Sequence, residues 1–174
     1  MWKEMGYAAK PSTFSETEIP ITIFILILIG AVVAVKNSFK AFMIAHVFIL
    51  IGFVVAGLST YFFTQKLLDP FWWMLFVGLG LYLVYIPFNS IYFDRLIAAY
   101  SIKGNAGFFI YLADSIGYVG SVTVMLVKEG MTLEIEWTTF FSQSVMILSF
   151  VGIFITAYAM YYFASKSRMT PLIQ

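Results

Sequence analysis

Between Ala41 and Gln65 the chain runs without one Asp, Glu, Lys or Arg. Crossing about 30 Å of hydrocarbon as a helix takes about 20 mainly apolar residues, so this stretch is long enough to span a bilayer with some to spare. Four more runs are long and mainly apolar: Ile19–Val35, Pro70–Phe93 and Trp137–Ser165 carry no charge, and Asn105–Val127 contains one acid. Composition agrees, with 61% apolar and 11% charged residues against about 45–50% and about 25% in a soluble domain. So few charges cannot coat a globule in water, whereas a lipid-facing surface needs none. The expected fold is therefore an all-α membrane protein of five transmembrane helices.

The expected organisation is an external lead-in over residues 1–18, a five-helix transmembrane domain over 19–165 and a cytoplasmic tail over 166–174. The lead-in lacks the basic-then-apolar order of a secretory signal. Pro20 is expected in the opening turn of the first helix, where a missing N–H costs nothing. Phe71, Trp72 and Trp73 open the third span as an interfacial aromatic belt, and Trp137 with Tyr158, Tyr161 and Tyr162 bracket the fifth. Short connections predict that consecutive helices are antiparallel neighbours.

Basic residues in short loops are retained on the cytoplasmic side. Lys36, Lys40, Arg95, Lys103, Lys166 and Arg168 share one face of the membrane, while Lys3, Lys10, Lys66 and Lys128 share the other with most of the acids. This predicts a multi-pass protein of the cell (inner) membrane, with its amino terminus outside and its carboxy terminus in the cytoplasm. A reporter that works only in the cytoplasm is expected to be active after Lys40, Lys103 or Gln174 and silent after Lys66 or Glu134. Activity after both Lys103 and Glu134 would remove the fourth span. An odd number of spans with an external start also predicts a preceding part, carrying at least one more span, that is missing or separately encoded.

Asp114 is the sharpest chemical feature, because an ionisable group deep in a span costs about 2.5 kcal/mol or more and usually faces a cavity or a partner. It lies nine residues beyond Asn105, roughly 13 Å along the helix and close to the midplane. Helical spacing puts Gly117 and Ser121 on its side, with Gly120 nearby. Such a face suits close helix packing, and the carboxylate suits a proton, a cation or a substrate amine. Gly117→Leu and Gly120→Leu are on this view more damaging than Leu26→Ala. The competing role for Asp114 is a hydrogen bond to a neighbouring helix.

Pro87 should kink the third span by freeing the Leu83 carbonyl. Asn89, Ser90 and Asp94 follow it, so the kink either lines a cavity or serves packing with an interfacial cap. Asp94 and Arg95 are candidate gating or charge-pair residues, alternatively plain surface charges. His46 fits a hydrogen-bonded interior residue better than a proton relay. Gly52, Gly57, Gly78 and Gly80 read as close-packing positions. Cysteine is absent and one histidine cannot assemble a zinc site, so neither a metal centre nor a cofactor is expected. A net charge of +1 gives no reason to expect nucleic acid. No phosphate-binding loop, nucleophile elbow or catalytic acid pair is present, which argues against an enzyme.

Four strings stand out: Pro87-Phe88-Asn89-Ser90, Phe93-Asp94-Arg95-Leu96-Ile97-Ala98, Gly104-Asn105-Ala106-Gly107-Phe108 and Ala113-Asp114-Ser115-Ile116-Gly117-Tyr118. Together they resemble a bacterial membrane-protein family of unknown function related to the major facilitator superfamily. The resemblance covers Ile19 to Phe163 and implies the last five of twelve helices. It implies secondary transport without ATP, with an amino-terminal transporter half as partner. The loop Lys36-Asn37-Ser38-Phe39-Lys40 departs from the superfamily's glycine-containing basic signature. The expected function is thus the carboxy-terminal portion of a secondary transporter for a small molecule of unknown identity. A non-transporting membrane scaffold or assembly subunit is the alternative.

Overall fold

A computed structural model describes residues 12–130 and 136–169, with side chains over 15–127 and 136–167. The charges at Lys3, Glu4, Lys10, Lys128, Glu129, Glu134 and Arg168 that enter the sidedness argument lie outside the described side chains. All regular structure among the described residues is helical: α1 Ser12–Val33, α2 Ser38–Thr64, α3 Pro70–Pro87, a π-helical turn Phe88–Tyr92, α4 Phe93–Tyr100, α5 Ala106–Gly130 and α6 Trp137–Met169. Because α3, the π turn and α4 form one continuous rod, five helices are long and apolar enough to cross a membrane.

Several boundaries lie outside the apolar runs: α1 begins at Ser12, α2 at Ser38, and α6 runs on to Met169. Pro20 lies inside α1, not in its first turn, because the polar residues from Ser12 onward already wind into helix. Its ring therefore removes a hydrogen bond to the carbonyl of Glu16. The third span extends to Tyr100, since the helix resumes after the π turn as α4 and runs on past the charges Asp94 and Arg95, where the apolar run ends.

The central element is α2, which packs against α3, α4 and α6. Helices α2 and α3 meet where Gly52 faces Gly80. A Cβ built on Gly52 would lie 2.5 Å from the Gly80 carbonyl oxygen, and one on Gly80 would lie 2.6 Å from the Gly52 carbonyl oxygen. The two backbones touch because neither residue has a side chain, which is how membrane helices maximise dispersion contact without a hydrophobic driving force. Gly152 of α6 makes room in the same way for the Phe53 ring.

The two ends of α2 carry aromatic clusters. At one end Trp73 is fully buried, stacked on Phe63 at 3.8 Å between centroids and edge-on to Phe141. Its Nε1 donates to Thr60 Oγ1 at 3.1 Å, and Thr60 donates to the Ala56 carbonyl at 2.8 Å. Trp73 is thus a core residue and not part of an interfacial belt, while Trp72 beside it remains exposed. At the other end Phe42, His46, Tyr92, Tyr100 and Phe163 pack together. Tyr100 Oη there donates to the Phe163 carbonyl at 2.8 Å, tying α4 to α6.

Consecutive helices are not all neighbours. Helix α1 lies mainly on α3, with α2 a lesser contact, and α5 is held chiefly by α4, with Phe109 stacked on Phe93 at 5.8 Å. No residue in the apolar window of α5 is buried. A groove of about 840 Å³ opens between α5 and α6, with Gly117, Gly120 and Ser121 on one wall and Phe140, Ser144 and Leu148 on the other. A Cβ on Gly117 or Gly120 would meet nothing within 4 Å, so the close packing expected of these two glycines is not made within the described chain. Their spacing identifies a smooth face, but the helix that would lie on it is not among the described neighbours.

Candidate functional site

The site grows from Pro87. With no N–H of its own, proline leaves an upstream carbonyl free, and the backbone responds by adding one residue to the next turn. Ser90 Oγ donates to the Ile86 carbonyl at 2.6 Å, which compensates part of the disturbed ladder. Such π turns recur at functional positions because they aim side chains that regular α spacing would point elsewhere.

Here the turn presents two polar residues. Asn89 reaches across to α5, where its Nδ2 donates to Asp114 Oδ1 at 3.4 Å. That distance is at the long edge of a hydrogen bond. Asn89 Oδ1 is buried and has no hydrogen-bond partner among the described residues. An unmet buried acceptor costs about 1–3 kcal/mol. The pair is therefore incompletely satisfied: a half-buried carboxyl on a loosely held helix faces an amide whose second atom awaits a donor. It brings together two residues singled out by sequence, Asp114 and Asn89, from spans 25 positions apart in the chain.

The remaining candidates are placed differently. Ser121 Oγ donates to the Gly117 carbonyl at 3.0 Å and lines the α5–α6 groove, so its proton is committed to its own helix. Asp114 is not on that groove's wall, and the two do not form one site. Ser90 and Asp94 are exposed on the outer side of the rod. Arg95 Nη2 donates to the Val33 carbonyl at 3.1 Å, at the carboxy-terminal end of α1. Unpaired carbonyls give a helix end partial negative charge, so a guanidinium caps it favourably. Arg95 thus bonds a backbone carbonyl in this structure, and not an acid on another helix.

Tyr92, the last residue of the π turn, escaped the sequence reading. Its Oη lies 3.2 Å from His46 Nε2, while His46 Nδ1 lies 3.0 Å from the Phe42 carbonyl. A carbonyl only accepts, so Nδ1 must carry the proton and donate. In the neutral ring Nε2 then accepts from the Tyr92 hydroxyl. Among 11 tyrosines nothing in the sequence marks Tyr92, because its pairing with a residue 46 positions away depends on how two helices dock. At the opposite end of the bundle a polar recess of about 730 Å³, bounded by Lys66, Asp69, Thr139, Ser142 and Gln143, was equally invisible. Its walls come from the α2–α3 connection and the first turns of α6, which only folding brings together.

Among the described residues, five helices long and apolar enough to cross a membrane, a proline-driven π turn and a carboxyl–amide contact between two of these helices fit the class of all-helical, multi-pass membrane proteins. Residues 1–166 match the model of a family of unknown function, DUF5690, and the chain belongs to that family. No curated protein and no solved structure matches the chain.

Proposed function

We propose that this protein is a membrane-transport component of the secondary-transporter type, in which Asp114 and Asn89 handle a proton or cation during the movement of a small solute. The observation that carries this reading is the incompletely satisfied Asp114–Asn89 contact on a π turn inside the spanning region. Ionisable groups in spans are expensive, and those that persist commonly mark ion pathways or proton relays. Protonation of the carboxyl would supply the O–H donor that an amide carbonyl accepts, and loss of the proton would favour the amide N–H instead. The pair can thus occupy two arrangements that differ by one proton. We further propose a major-facilitator relation, an inner-membrane location with the amino terminus outside, and a partner transporter half whose spans complete the solute path.

The test compares intracellular solutes in cells making the wild-type chain, with its partner half, or the Asp114→Asn form at equal membrane abundance. Wild type should change the cellular level of at least one solute several-fold, and Asp114→Asn should abolish that change because an amide exchanges no proton. Solute profiles that are identical in wild type, Asp114→Asn and empty-vector cells would refute the proposal.

A second reading, a scaffold or assembly subunit, is favoured by the unburied α5 and its open Gly117–Gly120 face. On that reading Asp114→Asn leaves solutes unaffected, and Gly120→Leu instead disrupts a stable complex with a partner membrane protein.

A further inference from the structure

A cavity of about 440 Å³ lies between α2, α3, the π turn and α6, and meets the α5–α6 groove at Leu148. Its size falls within the range of about 300–1,000 Å³ typical of small-molecule sites. Phe53, Val84, Phe88 and Ile155 make most of its wall apolar, and polarity is confined to His46, Tyr92 and Thr156. Ligand sites combine an apolar lining with a few polar groups that fix orientation.

The hydrogen-bond directions at the polar end restrict what can bind. His46 is almost wholly buried, at 1% exposed, and both of its ring nitrogens are engaged. The Phe42 carbonyl fixes the tautomer, so the Tyr92 proton points to His46 and is spent. What remains at Tyr92 is a phenolic lone pair, which accepts. We propose that this cavity binds a small lipid-soluble molecule carrying one hydroxyl or N–H donor, which hydrogen-bonds Tyr92 Oη while its apolar body lies along Phe53, Val84 and Ile155. A hydrocarbon chain fills the apolar part but leaves that acceptor unmet, so a donor-bearing amphiphile is selected over lipid tails.

The experiment uses the full chain in lipid nanodiscs, photolabelled with a diazirine-bearing octanol and, in parallel, with a diazirine-bearing octane of the same length. Octanol adducts should concentrate within residues 81–92 and 148–159 and be displaced by excess 1-octanol. Tyr92→Phe should lower them by about fivefold, the factor corresponding to one hydrogen bond of about 1 kcal/mol. Tyr85→Phe, at a lipid-facing position on the same rod, should not change them. Octane should label wild type and Tyr92→Phe alike. A second variant, Ile155→Trp, fills the cavity from a residue that is 64% exposed and so places little burden on folding. It should also suppress octanol labelling, and it decides the matter should Tyr92→Phe not fold. Unchanged octanol labelling in a folded Tyr92→Phe or in Ile155→Trp overturns the proposal, as do adducts spread evenly over lipid-facing residues.

Discussion

Gly80→Val is expected to leave almost no folded protein in the membrane, while Gly117→Leu and Gly120→Leu accumulate as the unsubstituted chain does. A side chain at Gly80 would begin with a Cβ 2.6 Å from the Gly52 carbonyl oxygen and 2.8 Å from the Ala56 nitrogen. Those atoms are backbone of the central helix and cannot swing aside as a side-chain tip can. Overpacking usually costs about 1–3 kcal/mol, and a backbone obstacle puts this case at the upper end or beyond. Separating α2 from α3 would also disturb Trp73 and the wall that presents Asn89. Gly117 and Gly120, by contrast, have open space around them. This reverses the order suggested by helical spacing alone, which made these two glycines the sensitive ones. Size-exclusion profiles of fluorescent fusions in mild detergent would measure the difference. A normal monodisperse peak for Gly80→Val would show that the α2–α3 contact tolerates displacement.

Trp73→Ala should be the other large effect, a loss of roughly 3 kcal/mol, the lower end of the range for removing a large buried aromatic. In a membrane the unfolded reference leaves the indole in lipid, so little is lost in transfer, and the penalty comes from the void and from broken contacts. Those contacts are the Phe63 stack, the edge to Phe141 and the hydrogen bond to Thr60. Trp73→Phe keeps much of the aromatic packing and loses the hydrogen bond, and should cost less than half as much. Trp72→Ala, on an exposed neighbour, should have almost no effect. Thermal unfolding midpoints in one detergent would rank the three, and equal midpoints for Trp73→Ala and Trp72→Ala would contradict the core assignment.

The contrast between Trp72 and Trp73 shows where sequence reading stops in a protein of this kind. The spans themselves are legible, because an uncharged apolar run as long as Ala41 to Gln65 suits a helix that crosses a bilayer. The buried face of each helix is not. In water a helix marks its inward face by hydrophobicity, but here lipid-facing Leu26 and Ile27 are as apolar as buried Ile25. Asp114 was legible because a carboxyl is conspicuous in such surroundings, and Pro87 because it breaks the hydrogen-bond ladder. The partner of Asp114 was half legible: Asn89 drew notice as a polar group after a proline, but its reach to α5 depends on the π turn. Tyr92 and the polar recess at Lys66 came from docking alone. The sequence marks Gly52 and Gly80 only as two of four close-packing glycines, and that these two face each other emerges from the docking of α2 on α3.

The π turn also changes how positions along its rod should be counted. Each α-helical residue advances about 100° around the axis, so one surplus residue turns everything beyond it by about that amount. Faces deduced by counting three and four from Leu83 hold up to Pro87 and fail after Tyr92. Beyond the offset, Arg95 meets the end of α1 and Tyr100 the carbonyl of Phe163. The surplus residue acts as a phase shift in an otherwise regular wave: the half of the rod that packs with Gly52 and the half that caps α1 keep separate registers, joined at the turn that carries Asn89 and Tyr92.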